Sequence, residues 1–285
     1  MRLRINHRTH YLYSGHSSSS HNEIRLKPVS DDAQTCVNYS VHVSPKTKVY
    51  EYETIGGFVN HFAVNDPHDE LEIVAESTVD TVHRDLFESL DLVSRDLVSH
   101  SSVEYLQAYG EFLLESPYVQ HLPGVSSIAK RVFDSSDGNT AKFVLNLKEL
   151  IFNEFDYVPD VTTVNSLLGE VLELSAGVCQ DFSHLMIGCC RMAGAPARYV
   201  SGYLYLGDHD ELRGTAATHA WVEVLMPDRT WLAVDPTNNI LVDHRYVKVH
   251  VGRDYSDVTP IKGIFVGYGT SKMDVTVDVQ ADSPI

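Results

Sequence analysis

Long apolar runs are missing from this chain. None comes near the roughly 18 residues of a membrane-crossing helix, and Met1 to His7 lacks the apolar segment of a secretory signal. A soluble cytoplasmic protein is therefore expected. Positive charge is also scarce: 22 Lys and Arg face 39 Asp and Glu, a formal net charge of −17. Such a surface repels phosphate, which argues against nucleic acid or an anionic membrane as a partner. The four cysteines have no regular spacing, so a disulfide framework is not expected and a reducing compartment fits. No Cys-x-x-Cys, His-Glu-x-x-His or EF-hand-like loop is present among 15 histidines and many acids. His7 and His10, three apart, would point to opposite faces of a strand. Neither a metal nor a cofactor is expected, and there is no internal repeat.

What remains is a 285-residue chain, 43% hydrophobic, long enough to bury one sizeable core and a second smaller one. Its first 80 residues alternate like strands at Arg2–Tyr13, Val37–Val43 and Glu70–Val74, with Ser17–Ser20 read as a polar turn. From Thr81 the period changes. Helices are predicted over 85–97, 103–114 and 141–155, a loop over 116–124, and a final strand over 273–279.

The chemistry concentrates in three short stretches: Gly177-Val178-Cys179-Gln180-Asp181-Phe182, Thr218-His219-Ala220-Trp221, and Asp235-Pro236-Thr237. Apolar residues at Phe182, Leu185, Met186, Cys189, Cys190 and Ala193 form one helical stripe, ended by Gly194 and Pro196. With Gly177 as N-cap, Cys179 falls in the first turn and off that stripe. Unpaired N–H groups and the helix dipole there favour a thiolate. Cys36, Cys189 and Cys190 read as small buried hydrophobes.

The other two stretches read as a hairpin. Residues 218–224 and 231–235 alternate, separated by the turn-rich Leu225 to Arg229. Closing that five-residue loop sets Val224 against Thr230 and, in the same register, His219 against Asp235. The opposite face, with Ala220, Val222, Leu232 and Val234, is uniformly apolar and can be buried. An imidazole held by a carboxylate is the base and orienter that a cysteine nucleophile requires. His184 competes as the base, but it lies five residues along the helix from Cys179, about 7.5 Å of rise, and off its face. Asp181 in the first turn reads as favourable dipole chemistry.

These stretches, with Pro196 to Tyr203 and Asp235-Pro236-Thr237-Asn238, resemble the core of the bacterial transglutaminase-like family, often described as cysteine proteases. Gly252 to Pro260 resembles the segment that follows that core. Residues 1–80 resemble the family's N-terminal β domain through Ile24 to Pro28 and Leu71 to Ser77. Two departures are Ser175, where members often carry a basic residue, and Ile55 to Phe58, in place of a common turn.

The resemblance implies an α+β fold: a papain-like, transglutaminase-like core, in which a nucleophile-bearing helix packs on an antiparallel sheet, joined to an N-terminal all-β domain. It implies residues 1–80 as that β domain, 81–140 as a helical connecting region and 141–285 as the catalytic core with C-terminal strands. Mapped onto this sequence it makes Cys179 the nucleophile, His219 the base and then acid, and Asp235 the group fixing the imidazole. The backbone N–H of Cys179 is a candidate oxyanion donor. The second donor is undetermined, with Gln180 and Tyr157 as candidates.

Three functions follow. The first is a cysteine-dependent peptidase or amidase acting on a peptide or protein amide through a thioester. The second is a transglutaminase-type acyltransferase passing the acyl group to an amine. The third is a non-catalytic binding protein on the same fold. Oligomeric state is not legible.

Overall fold

The computed structural model describes residues 1–83, 87, 90–92, 102–207, 212–214, 218–268 and 270–282. The N-terminal part holds β1 (Arg2–Ile24), β2 (Gln34–Ser44), β3 (Tyr50–Thr54), β4 (Gly57–Val64) and β5 (His68–Thr81). Then come α1 (Val103–Tyr109), a 3-10 turn at Gly110–Leu113, α2 (Pro123–Ser135), α3 (Thr140–Glu154), β6 (Asp156–Tyr157), α4 (Leu168–Leu174), β7 (Ala176–Gly177) and α5 (Cys179–Met192). The chain continues through β8 (Ala197–Leu204), β9 (His219–Leu225), β10 (Trp231–Asp235), β11 (Ile240–Leu241), β12 (Tyr246–Gly252), α6 (Tyr255–Val258), β13 (Ile261–Gly267) and β14 (Ser271–Ala281). The helix predicted over 85–97 falls mostly outside the described residues.

One antiparallel sheet runs β11-β10-β9-β8-β12-β4-β1-β5-β2, with β3 on β4 and both β13 and β14 on β1. β12 carries the sheet from the core strands to the N-terminal ones, pairing β8 along most of its length and meeting β4 at His250 opposite Gly57. Side chains reinforce that junction. Gln34 donates to the Val29 and Lys248 carbonyls and accepts the Lys248 N–H at 2.7 Å.

Ser17–Ser20 is not a turn. β1 continues straight through it, with a bulge between Ser17 and Ser19, and there changes partners: β14 and β5 flank its first half, β13 and β4 its second. Ser17 and Ser20 are fully buried. Ser18 between them is exposed, and the run of serines marks an exchange of neighbours and no reversal of the chain. β14 covers the predicted final strand and lies along β1 from Leu3 to Tyr13.

α5 is the centre of the core. Residues 180–191 are all buried, so the helix is enclosed on every side and its apolar stripe is only the part facing the sheet. Ala220, Val222 and Val224 of β9 and Ala197 and Tyr199 of β8 cover one flank. Val125, Ala129 and Val132 of α2, Phe143, Val144 and Leu147 of α3, and Leu168 and Val171 of α4 cover the rest. Each of the valine, leucine and phenylalanine side chains among them stabilises the fold by about 1.5–3 kcal/mol relative to exposure.

The segment from Gly252 to Pro260 is a staple on the back of this helix. Buried Arg191 donates to the carbonyls of Ala197, Leu114 and Arg253. Asp254, fully buried, accepts from Tyr118 and Ser256. The Tyr255 N–H donates to His184 Nε2 at 3.2 Å.

Candidate active site

α5 begins one residue later than Gly177 as N-cap would require. Val178 is the N-cap, in extended conformation, and Cys179 is the first helical residue. Valine has no side-chain acceptor, so the start is held from within: Asp181 Oδ2 accepts the Val178 N–H at 2.8 Å and the Thr162 hydroxyl at 2.6 Å. Burial pushes the Asp181 carboxyl up. Asp181 thus ties the helix start to the loop before α4. Cys179 is partly exposed, whereas Cys189 and Cys190 are buried in the helix interior. As the first residue of the helix, Cys179 has an N–H with no intrahelical acceptor.

The β9–β10 hairpin forms, but two residues out of the expected register. Leu225 pairs with Trp231 and Val222 with Val234, because the loop spans Met226 to Thr230 and is closed by the Met226 N–H on the Thr230 carbonyl. Asp235 is therefore diagonal to His219. A slip of two preserves the faces, so Ala220, Val222 and Val224 still meet α5, and His219 Nε2 still lies 2.8 Å from Asp235 Oδ2.

Asp235 has no solvent exposure and accepts five hydrogen bonds. Oδ1 takes the backbone N–H groups of Thr237 and Asn238, at 2.8 and 3.3 Å. Oδ2 takes His219, the Asn238 amide at 2.7 Å and the Tyr246 hydroxyl at 2.7 Å. Burial alone would raise this carboxyl; His219, Tyr246 and Asn238 outweigh it and hold it below the ordinary carboxylate value. Oδ1 closing on the N–H two residues on is the turn that Asp-Pro-Thr-Asn encodes. That signal was present in the sequence. Tyr246 carried none, because it comes from β12, two strands away from β9 in the sheet.

On the other side of the ring, His219 Nδ1 is 3.1 Å from the Gly214 carbonyl. The Cys179 side chain is within hydrogen-bonding reach of the same imidazole. With a carboxylate at one nitrogen and a carbonyl at the other, only a doubly protonated ring satisfies both. Burial would lower this histidine, but Asp235 and then Cys179 push it up to about 10. Gly214 is tightly placed. At φ +80, a Cβ there would stand 2.7 Å from His219 Nδ1 and 3.5 Å from Cys179 Cβ. Asn238 holds this segment, accepting the Arg213 N–H and donating to the Arg213 carbonyl.

The remaining candidates divide. Tyr157 lies near Cys179 and Gly214; burial and the neighbouring Cys179 push the phenol up. Gln180 is buried and donates to the Val164 carbonyl at 3.1 Å. His184 is buried, stacks on Tyr118 with ring centroids 5.2 Å apart, and is pushed down to about 3 by burial, hence neutral. It is occupied with the Tyr255 N–H on the staple and is not beside His219.

Beneath the ring, Trp221 stacks on His219 at 6.3 Å and Tyr246 meets Trp221 edge-on at 5.3 Å. Gly202, opposite His219 on β8, makes room for that indole: a Cβ there would come within 2.4 Å of it.

The site, built on a helix start and the β9–β10 hairpin of an antiparallel sheet, has the architecture of a transglutaminase-like core. Residues 126–236 match the profile described as Transglutaminase-like superfamily, and residues 3–80 match the Bacterial transglutaminase-like N-terminal region. An uncharacterized protein of Mycobacterium leprae is 34% identical over 284 residues, covering 98% of both chains. A protein-glutamine gamma-glutamyltransferase of Pseudomonas aeruginosa is 33% identical over 86 residues, 29% of this chain and 13% of that one. A provisionally named cysteine protease from Cytophaga hutchinsonii superposes with a TM-score of 0.74 at 20% identity, covering 100% of this chain and 92% of the other. The chain belongs to the transglutaminase-like superfamily.

Proposed function

We propose that this protein is a cysteine-dependent amide hydrolase acting on a peptide or protein substrate through a thioester on Cys179. The observation that carries the reading is His219, with Nε2 on buried Asp235 and the Cys179 side chain beside the same imidazole. The Cys179 sulfur attacks the amide carbonyl, and the developing oxyanion is met by the Cys179 N–H. Tyr157, close to Cys179, is the candidate for the second donor, its phenol kept protonated by burial. His219 then protonates the departing amine as the C–N bond breaks. Water attacks the thioester, His219 takes its proton, and the acid leaves with Cys179 restored. No step requires a metal or cofactor. All four cysteines are unpaired, which suits a reducing compartment such as the cytoplasm. No helix among the described residues is long and apolar enough to cross a membrane.

Transfer to an amine is the second reading, favoured by the local likeness to the Pseudomonas aeruginosa gamma-glutamyltransferase. Both use the same thioester and differ only in what resolves it. Incubating the protein with glutamine-containing peptides, with and without a primary amine, and weighing the products separates them. Free acid in both mixtures supports the hydrolase; incorporation of the amine exceeding hydrolysis replaces it with the acyltransferase. No product and no adduct at Cys179 would leave a binding protein.

A further inference from the structure

We infer that Tyr246 is a positioning residue that sets how tightly Asp235 grips the imidazolium of His219. The inference rests on the catalytic reading above. Its hydroxyl donates at 2.7 Å to Oδ2, the very oxygen that holds His219, while the two backbone donors sit on Oδ1. A buried tyrosine needing only an acceptor could be satisfied by any carbonyl. This one shares its acceptor with the histidine.

The geometry leaves the phenol one role. Tyr246 is buried, and Asp235 beside it pushes its ionisation further up, so it stays protonated and donates. Its ring is locked edge-on against Trp221, which stacks on His219, so the donor cannot swing away as a water could. Each donor on this oxygen stabilises the carboxylate and lowers its basicity toward the others. What remains for His219 is enough to hold its second proton but less than an unshared carboxylate would give. That matters because the imidazolium must release its proton to the departing amine, and an acid gripped too strongly is a poor donor.

Among the described residues, other titratable or charged groups near His219 and Asp235 are Cys179 on α5, Tyr157 on β6, Lys148 on α3 and Arg213 beside Gly214. Among the described residues none of them touches Oδ2. Lys148 reaches the Asn239 carbonyl instead, and Arg213 lies over the Phe152 ring.

The test is Tyr246→Phe, which removes the hydroxyl and keeps the ring. The His219 imidazole is titrated by NMR, its signals assigned by their loss in His219→Gln, and kcat and KM are measured on a glutamine-containing peptide. Release of one donor should move the His219 midpoint upward by at least about half a pH unit. With it kcat should fall several-fold and KM stay unchanged. An unmoved or lowered midpoint overturns the inference and leaves Tyr246 as packing. If wild type forms no product, the catalytic reading fails, while the titration still reports on the hydrogen bond. Should Tyr246→Phe not fold, Asn238→Ala removes another donor to the same oxygen and must move the midpoint in the same direction.

Discussion

Replacing Asp235 by Asn changes one atom in a site where every acceptor position is used. Both carboxylate oxygens face only donors: two backbone N–H groups at Oδ1, and His219, Tyr246 and Asn238 at Oδ2. Whichever way the new amide turns, its NH2 meets at least two of them head-on. The less costly rotamer sacrifices the Thr237 and Asn238 N–H bonds and leaves the imidazolium against a neutral oxygen. Breaking a buried ion pair from one side costs about 3–5 kcal/mol.

That loss should depend on pH in a definite way. His219 has its folded pKa raised to about 10 from 6.5, so its contribution is complete below about 6.5 and is lost as pH rises through 10. Asp235 has its pKa lowered, so its contribution is present above its ordinary value of 3.8 and is lost as pH falls through its folded pKa. The deficit of Asp235→Asn, measured by urea unfolding, should be largest between about pH 4 and 6.5 and narrow on both sides. Turnover should fall on the order of 10³–10⁴-fold, as when the orienting acid of a triad becomes an amide. A deficit below about 1 kcal/mol at pH 6, or one indifferent to pH, would refute the claim that a buried ion pair organises this site.

Two further outcomes follow from the same geometry. Gly214→Ala places a methyl 2.7 Å from His219 Nδ1 at a φ of +80, which should cost about 1–2 kcal/mol in thermal unfolding and lower kcat/KM at least about ten-fold; wild-type turnover would show that this contact does not constrain the histidine. Glu223 is buried between Arg198 and Lys248, at 2.6 and 2.5 Å, and Lys248 reaches Asp31 at 2.9 Å. Glu223→Gln leaves two partly buried cations facing a neutral amide and should destabilise by about 1.5–3 kcal/mol without changing the rate of Cys179 alkylation; a change under about 1 kcal/mol would mean solvent screens the network.

The sequence was most informative where a local pattern and a buried face agreed. The 3.6-residue period after Gly177 placed Cys179 at a helix start, and alternation around His219 placed Ala220 and Val222 on a face that can be buried, because both signals depend on neighbours in the chain. The hairpin register was read two residues out, since loop length alone does not say which residue makes the last ladder bond. The error was harmless: a side chain can reach a diagonal neighbour on the same face. Partners that meet only through sheet order were not legible. Tyr246 reaches Asp235 because β12 joins β8, and β1 swaps partners at Ser17 because β13 and β14 return to it from the far end of the chain. The two adjacent cysteines lie inside the core as their place on the stripe required.

The central claim is that Cys179 carries the acyl group. Quenching the protein in acid after brief mixing with a glutamine-containing peptide, then weighing the intact chain and its Cys179 fragment, tests that claim most directly. The account expects a mass increase equal to the acyl portion, located on Cys179, absent from Cys179→Ala and accumulating when the second step is slowed. Turnover that persists in a folded Cys179→Ala protein would contradict it.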